Sequence, residues 1–389
     1  MSDRNEFQRI FGGEPTVAAV SPGRINLIGE HIDYLGGHVM PIAIDKRMTI
    51  LARPVEGSIS RIWPVGLGME KPVSIELDDL SRRTDPSENW LNYIVGVLAG
   101  YHDAGVTVPA FDAAIFSNLP TGAGLSSSAA LETATALVVE STSGVSQDPV
   151  DRALLCQRAE HDYAGVPCGI MDQLAVGACR EGHAMLLDCG DLSMKHFPLP
   201  SGVSILVADT GVKHALGDGE YRLRREDCEE ASRILGTDSL CDSTLPDLEA
   251  ARKQLGPRLF ARARHAVTEA QRVAEFSAAL ERNDMETLGR TLREGHDSLR
   301  IDYEVSCDEL DILVEAAYDF GPELVGSRMT GGGFGGSTVS LVRSGSADSL
   351  KRHLENKYQE KFGRDLNCFI TSAAGGAGLV PPPTNQPSS

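Results

Sequence analysis

The sequence predicts an α+β fold. Short segments rich in β-branched and apolar residues dominate the first third of the chain. The second half opens with one such segment and continues with long helical stretches. Strands and helices therefore do not alternate one by one, as they do in a parallel βαβ series. A hydrophobic content of 41% over 389 residues is enough for a sizeable core.

The periodicity of the first half predicts strands at 16–20, 48–54, 58–65, 73–77, 110–116, 184–189 and 194–199, and helices at 89–101, 128–140 and 148–162. The second half is predicted to contain helices at 220–235, 258–282, 285–299, 307–319 and 345–361, strands at 203–209 and 367–371, and a glycine-interrupted hairpin at 326–342. A Pro-Ser-Gly turn after the strand pair predicts a boundary between an N-terminal domain, 1–201, and a C-terminal domain, 202–374. Residues 375–389, which include three consecutive prolines, are expected to form a disordered tail.

The charge of the chain excludes several classes of partner. It carries 36 Lys plus Arg against 55 Asp plus Glu, a formal net charge of -19. Nucleic acid and anionic membrane surfaces need basic patches, so neither is an expected partner. No apolar run is long enough to span a membrane, and the polar start is unlike a signal peptide.

The eight cysteines are scattered and form no C-x-x-C pair, so neither a zinc ribbon nor a disulfide framework is indicated. Reduced thiols in the cytoplasm are the simplest explanation, and no obligate protein partner is expected.

The first segment that could carry chemistry is a turn-rich stretch at 21–37. It concentrates polar side chains: Arg24, Asn26, Glu30, His31, Asp33 and Tyr34. Such a density of hydrogen-bonding groups suits a polyhydroxylated ligand, whose donors and acceptors need partners once they are buried. A metal cluster of Glu30, His31 and Asp33 and a solvated loop remain as alternatives.

The second segment is a glycine- and serine-rich loop at 120–130, between a predicted strand and a predicted helix. Glycines allow close approach of the backbone to a ligand, and free N–H groups at a helix N-terminus form an anion site. The loop lacks the Gly-Lys-Ser/Thr of a Walker A motif. A serine N-cap with glycines for chain reversal is the simpler alternative.

The third segment, 329–338, contains a G-x-G-x-x-G pattern from Gly331 to Gly336. A strand-like stretch follows it, whereas a dinucleotide-binding loop opens a helix. A glycine loop between strands is therefore favoured over a nicotinamide-binding site.

The fourth segment places Glu160 at a helix end and Asp172 just after a Gly–Pro turn. Two carboxylates so placed could serve as metal ligand and general base, or lie on the surface.

Together the four segments resemble the motifs of the GHMP small-molecule kinases and, within them, of the galactokinase family. Residues 23–34 are similar to the galactokinase signature, 120–130 to the phosphate loop, 327–338 to the third motif, and 169–173 to the stretch with the proposed base. The resemblance covers the chain to about residue 374. It implies a two-domain fold with the active site between an N-terminal ribosomal-S5-like α/β domain and a C-terminal α+β domain.

The resemblance also implies roles for individual residues. Asp172 and Arg24 would be catalytic. The galactose-contacting residues would be Glu30, His31, Asp33, Gly169 and Tyr221. The nucleotide-binding residues would be Trp90, Tyr93, Gly122, Ala123, Gly124, Leu125, Ser126, Ser127 and Ser128. Ser128 and Glu160 would hold Mg²⁺. For Trp90, plain core packing is the alternative.

The implied activity is phosphorylation of the C1 hydroxyl of galactose by MgATP, the first committed step of galactose catabolism. Ile32 and Leu35 depart from the usual signature, and the Ile-Asp-Tyr form at 32–34 is similar to N-acetylgalactosamine kinases. That enzyme, another sugar-1-kinase and a non-catalytic galactose sensor therefore stay as alternatives. Ser128 and Ala129 favour a kinase over a sensor, because sensor paralogues lack a Ser-Ala pair in this loop.

Overall fold

The computed structural model describes residues 2–66, 68–120, 122–213 and 217–383. The helices within these residues are α1 (Asp3–Phe11), α2 (Leu91–Asp103), α3 (Ser127–Ser143), α4 (Pro149–Ala159), α5 (Met171–Ala178), α6 (Gly217–Leu235), α7 (Leu245–Arg282), α8 (Met285–Ser298), α9 (Asp308–Asp319) and α10 (Ala347–Phe362). The strands are β1 (Val17–Asn26), β2 (His38–Val39), β3 (Pro41–Pro54), β4 (Ile59–Pro64), β5 (Val73–Glu76), β6 (Phe111–Ser117), β7 (His183–Asp188), β8 (Met194–Pro198), β9 (Val203–Lys213), β10 (Leu324–Thr330), β11 (Gly335–Arg343), β12 (Asn367–Thr371), β13 (Ala373–Ala374) and β14 (Gly378–Val380).

Within the described ranges the strands form three sheets. The largest has the order β14-β1-β3-β6-β4-β5, with β13 also pairing with β3. Its pairs are antiparallel except β4 and β6, which run parallel. A second, antiparallel sheet has the order β10-β11-β9-β12, and a third has the order β2-β7-β8. The mixture of pairings and the separate helical stretches confirm the predicted α+β class.

The two halves of the chain both contribute to the largest hydrophobic cluster. This cluster joins Ile25 and Leu27 of the first half to Val273 and Met329 of the second. Thr330 adds a polar link, because its hydroxyl accepts a hydrogen bond from the Asn26 N–H at 3.0 Å and donates to the Asn26 carbonyl at 2.9 Å. The turn-rich stretch at 21–37 in the first half therefore packs directly on the second half. The domain boundary after residue 201 stays a prediction.

The periodic segments lie where the sequence predicted them, with ends that differ by a few residues. The helix predicted at 258–282 is the second part of α7, whose first part begins at Leu245 after a capping box on Thr244. Gly256 breaks the helix with φ 65°, just before Pro257. Two strands are longer than predicted. Strand β1 continues to Asn26, into the stretch predicted to be rich in turns, and β3 begins at Pro41, before the strand predicted at 48–54.

Helix α1 was not predicted, because its sequence is polar. Phe7 and Phe11 lie one turn apart, and both are buried. The Ser2 hydroxyl accepts a hydrogen bond from the Asn5 N–H and caps the helix. A four-residue spacing of two aromatic residues after a serine was the signal that could have identified it.

The prediction of a disordered tail over 375–389 is wrong for the part that the structure describes. Residues 378–380 form β14, which pairs antiparallel to β1 through Ala18, Ala19 and Val20. The composition rich in Gly and Pro hid this strand, because an edge strand needs backbone pairing on one side only. Residues 384–389 lie outside the described residues.

None of the helices that the structure describes is long and apolar enough to cross a membrane. All eight cysteines are free thiols.

The edge strand β14 generates a prediction about stability. Truncation after Ala377 removes its backbone hydrogen bonds to β1 and should lower the free energy of unfolding by about 1–3 kcal/mol. Urea unfolding followed by fluorescence measures this change. Truncation after Pro383 is the matched control and should leave the unfolding midpoint in place. Equal midpoints for the two truncations would contradict a stabilising role for β14.

Candidate active site

Two neighbouring cavities share part of their walls. The first, of about 620 Å³, is bounded by the loop before α3 and by α2. The second, of about 500 Å³, is bounded by the loop after β1 and by the turn before α5. Both are lined by Arg24, Asp172 and the glycine loop residues Gly332, Gly333 and Phe334. A ligand in either cavity can therefore reach the same guanidinium and the same carboxylate.

Arg24 and Asp172 form a bidentate ion pair at this shared wall. Arg24 Nε donates to Asp172 Oδ1 at 2.8 Å, and Nη2 donates to Oδ2 at 2.9 Å. The pairing of β1 with β3 shifts register between Pro22 and Arg24, a β-bulge that re-aims the arginine. Gly23 is required there, because a Cβ would lie 2.3 Å from a methyl group of Leu119.

The loop at 120–130 ends at the N-terminus of α3 with an unusual cap. Ser126 has a left-handed backbone, φ 59°, and its hydroxyl makes no capping bond to the helix. The hydroxyl donates instead to Asp172 Oδ2 at 2.5 Å. The first N–H groups of α3 are thus not capped by this side chain, which favours the predicted anion site over the N-cap alternative.

The predicted nucleotide-binding residues that line the first cavity are Trp90, Tyr93, Gly122, Gly124, Leu125, Ser126, Ser127 and Ser128. Ala123 does not line it; Ala123 is buried, and its carbonyl accepts from the Ser337 hydroxyl at 2.8 Å. Trp90 is partly buried against the core, as the alternative reading expected, and also lines the cavity.

All five predicted sugar-contacting residues line the second cavity: Glu30, His31, Asp33, Gly169 and Tyr221. Partial burial, and then the charge of Asp172, raise the pKa of Asp33 to about 6. Gly169 lies so close to Asp33 that a Cβ at this position would lie 1.9 Å from Asp33 Oδ2. The glycine therefore leaves room for the carboxylate.

His31 is held firmly within the wall of this cavity. Its Nε2 lies 3.0 Å from the Gly332 carbonyl, and its Nδ1 lies 3.1 Å from the Tyr34 hydroxyl. Burial lowers the pKa of His31 to about 3, so the ring is neutral. The carbonyl can only accept, so Nε2 carries the proton and Nδ1 accepts from Tyr34. The ring of Tyr221 packs beside that of His31, with centroids 5.3 Å apart.

Glu160 and Ser128 lie together between α3 and the π-helical turn Glu160–Ala164 that follows α4. Burial and then the charge of Asp172 raise the pKa of Glu160 to about 7. The neighbouring Ser128 hydroxyl favours the ionised form of the Glu160 carboxyl and, on its own, lowers its pKa. Gln173 bridges Glu160 to the buried Glu132, whose Oε1 has no hydrogen-bond partner.

This crowding of carboxylates fits a divalent cation, which would relieve their mutual repulsion. The described residues contain no cluster of three or more His, Cys, Asp or Glu able to hold a metal ion, including the alternative cluster of Glu30, His31 and Asp33. Two protein ligands are nevertheless enough for Mg²⁺, which usually keeps several waters and takes substrate phosphates as ligands.

The third segment is a loop between two antiparallel strands, as predicted. It connects β10 to β11, and no helix follows it directly. This geometry argues against a dinucleotide-binding loop. Phe334 has a left-handed backbone, φ 56°, and lines both cavities.

Some residues that shape the site were not identified from the sequence. Arg328 is fully buried and forms ion pairs with Glu30 and Glu269. Gln173 joins Glu132 to Glu160. Arg328 and Gln173 both lie within recognised motifs, at 327–338 and 169–173. Their partners lie elsewhere in the chain, so the motifs gave no local signal of these contacts.

Comparisons with known proteins agree with this geometry. Residues 5–54 match the family model of the galactokinase galactose-binding signature, 92–179 the GHMP kinase N-terminal domain, and 276–360 the GHMP kinase C-terminal domain. Galactokinase of Bos taurus is 43% identical over 97% of this chain and 95% of its own length. Galactokinase of Homo sapiens is 42% identical over the same shares of the two chains.

Solved structures agree as well. The galactokinase of Lactococcus lactis, solved in complex with galactose, superposes with a TM-score of 0.92 at 31% identity, covering 96% of this chain and 98% of its own. The mevalonate kinase of Methanococcus jannaschii shares the fold alone, with a TM-score of 0.65 at 16% identity, covering 92% of this chain and 99% of its own. The chain therefore belongs to the galactokinase family of the GHMP kinases, which phosphorylate galactose with ATP.

Proposed function

We propose that the first cavity holds MgATP, that the second holds galactose, and that the γ-phosphoryl group is transferred to the C1 hydroxyl beside Asp172. The observation that carries this proposal is the shared wall of the two cavities. Arg24 and Asp172 line both, so donor and acceptor can meet at one ion pair. In phosphoryl transfer, positioning and charge stabilisation supply most of the catalysis.

The loop before α3 is suited to the phosphates. Its glycines expose backbone N–H groups, and the N-terminus of the 17-residue helix α3 carries partial positive charge. Arg24 Nη1 donates to the Gly124 carbonyl, so the same guanidinium fixes this loop against Asp172. Trp90 and Tyr93 offer aromatic surface for the adenine ring at the other part of the cavity.

Asp172 is the group proposed to receive the C1 hydroxyl. Both of its oxygens accept from Arg24, and Oδ2 also accepts from Ser126. Arg24 and Ser126 thus hold both carboxylate oxygens in place beside the proposed position of the C1 hydroxyl. Two versions of the mechanism follow: Asp172 removes the proton early, or it orients the hydroxyl while Arg24 stabilises charge in the transition state.

Ser128 and Glu160 would hold Mg²⁺. When bound, the ion would supply positive charge beside the phosphates and offset the charge that develops during transfer. The influence of Ser128 and of Asp172 on the pKa of Glu160 supports this assignment.

For the sugar, Asp33 and Glu30 are proposed to accept hydrogen bonds from its hydroxyl groups, with Tyr221 beside them. The family relationship favours galactose over the alternatives, and the intact Ser128-Ala129 pair favours an active kinase over a sensor. An N-acetylgalactosamine kinase would differ from a galactokinase in accepting an N-acetyl group at C2 of the sugar. We also propose a cytoplasmic location, since the free thiols suit a reducing compartment.

Asp172→Asn should lower kcat by at least about 100-fold, because the amide can neither take a proton nor carry the charge that pairs with Arg24. A coupled ADP-release assay measures kcat, and calorimetry checks that galactose still binds. Asp162→Asn, which alters an exposed carboxylate, is the matched control and should leave kcat unchanged. Near-normal turnover by Asp172→Asn would contradict both versions of the mechanism.

Glu160→Gln should raise the Mg²⁺ concentration needed for half-maximal activity by roughly 10-fold or more, because one charged ligand is lost. Activity is titrated with MgCl₂ at fixed ATP after treatment with EDTA, which should abolish turnover by the unmodified enzyme. Glu132→Gln is the control, since Glu132 faces the same Gln173 amide but lines neither cavity. A metal requirement equal in Glu160→Gln and in the parent would remove Glu160 from the metal site.

A substrate panel tests the sugar assignment. Galactose should exceed glucose in kcat/KM by roughly 10⁴-fold, since an epimer leaves the Asp33 carboxylate poorly paired. N-acetylgalactosamine, arabinose and homoserine complete the panel and test the rival kinases. Asp33→Asn should lower kcat/KM for galactose alone and thereby decrease the ratio of kcat/KM for galactose to that for glucose. Comparable kcat/KM for galactose and glucose in the parent enzyme would exclude this role of Asp33.

A further inference from the structure

A buried charge network lies behind the Glu30 carboxylate. Four ionisable side chains take part, each at most 8% exposed: Glu30, Glu269, Arg272 and Arg328. Arg328 pairs with Glu30 Oε2, and its Nη1 lies 3.1 Å from Glu269 Oε1. Arg272 Nε donates to Glu269 Oε2 at 2.7 Å. Two carboxylates and two guanidinium groups leave the network electrically neutral.

The same network fixes the backbone that carries Glu30. The Gly29 N–H donates to Glu269 Oε1 at 2.8 Å, and His265 Nε2 lies 3.1 Å from the Glu30 carbonyl. On the other side, the Gly331 N–H donates to Glu30 Oε1 at 3.2 Å. Helix α7 and strand β10 therefore hold both the peptide and the side chain of Glu30.

Of these four charged groups, only Glu30 lines the cavity assigned to the sugar. Arg328 can influence a ligand there only through the carboxylate that it contacts. We infer that Arg328 is a positioning residue for galactose recognition, which keeps Glu30 ionised and aimed at the sugar, and that Glu269 sets the strength of this effect. This inference rests on the proposed function, because it assumes that Glu30 contacts galactose.

The charges around Glu30 predict a pH dependence of galactose binding that differs from the effect of a loosened fold. Burial raises the pKa of Glu30 to about 7; the charge of Arg328 lowers it, that of Glu269 raises it, and that of Arg24 lowers it. His265 and His31 also face this region, and burial keeps both neutral at pH 7 by lowering their pKa values to about 4 and about 3. A carboxylate whose pKa is raised loses its charge, and part of its capacity to accept hydrogen bonds, as the pH falls through that pKa.

The two substitutions should therefore act in opposite directions. Arg328→Met removes the cation, so the pH below which galactose binding weakens should move upward. Glu269→Gln removes the neighbouring anion but keeps an amide oxygen for the Gly29 N–H, so that pH should move downward. A loosened pocket would weaken binding at every pH in both variants, with no shift of opposite sign.

The experiment measures galactose affinity by titration calorimetry on the full-length variants between pH 5.5 and 9, without ATP. At pH 7, Arg328→Met should bind galactose about 10- to 100-fold more weakly, with recovery toward pH 9, while KM for ATP changes less than about threefold. Glu269→Gln should retain binding to lower pH than the parent. Arg328→Lys, which keeps the charge, should restore part of the affinity.

Arg152→Met is the matched control. Arg152 also forms a buried pair, bidentate to Glu140 at 2.7 and 2.8 Å, and lines neither cavity. This variant should melt at a lower temperature with unchanged galactose affinity. If Arg328→Met does not fold, the double variant Arg328→Met/Glu269→Gln keeps the network neutral and should still bind galactose more weakly than the parent.

Glu30→Gln separates failure of the inference from failure of the proposed site. Weakened binding by Glu30→Gln together with parent-like binding by Arg328→Met would overturn the role of Arg328 alone. Unchanged binding by Glu30→Gln would remove Glu30 from the sugar site and the inference with it. If the pH below which galactose binding weakens moved in the same direction in Arg328→Met and Glu269→Gln, the network would have only a structural role.

Discussion

The ion pair between Arg24 and Asp172 is the contact on which the rest of the site depends. Arg24 comes from a bulged strand of the large sheet, Asp172 from the first turn of α5, and the Gly124 carbonyl, which also accepts from Arg24, from the loop before α3. One guanidinium thus sets the distance between the loop suited to phosphates and the carboxylate suited to the sugar hydroxyl. Few other side chains could do so, since its planar fork bonds a carboxylate with two donors and leaves a third for a carbonyl.

The acidity of the chain is compatible with a polyphosphate ligand because the charges that matter are local. At physiological ionic strength the screening length is about 8 Å, so distant carboxylates of a chain with net charge -19 contribute little at the phosphates. The N-terminus of α3 and Arg24 provide the nearby positive potential. Several acidic residues instead lie within the site. The negative charges of Glu160 and Asp172 lie close together, and a cation between them and the proposed nucleotide would reduce their repulsion.

The sequence predicted the parts of the site that are local in the chain. The glycine-rich loops, the segment with Glu30 and Asp33, and the turn before Asp172 could be identified because motif and chemistry lie within a few residues. Periodicity likewise predicted most helices and strands. It could not predict contacts between residues distant in the chain, such as Arg328 with Glu30, nor strand β14, whose pairing with β1 lies in the backbone rather than in its composition. The side-chain role of Ser126 was also hidden, since a serine before a helix usually caps it.

The two halves of the site differ in how far the protein has already satisfied its own polar groups. At the second cavity, Glu30 is held by Arg328 and by the Gly331 N–H, so this carboxylate is fixed before any ligand arrives. A neutral sugar gains little from long-range attraction, and its recognition therefore requires such preorganised geometry. On the nucleotide side, the hydroxyl that would cap α3 is diverted to Asp172, which leaves backbone donors for a ligand that brings its own charge. The glycine loop from β10 to β11 borders both cavities, so the cavity proposed for the sugar and the one proposed for the nucleotide share this wall.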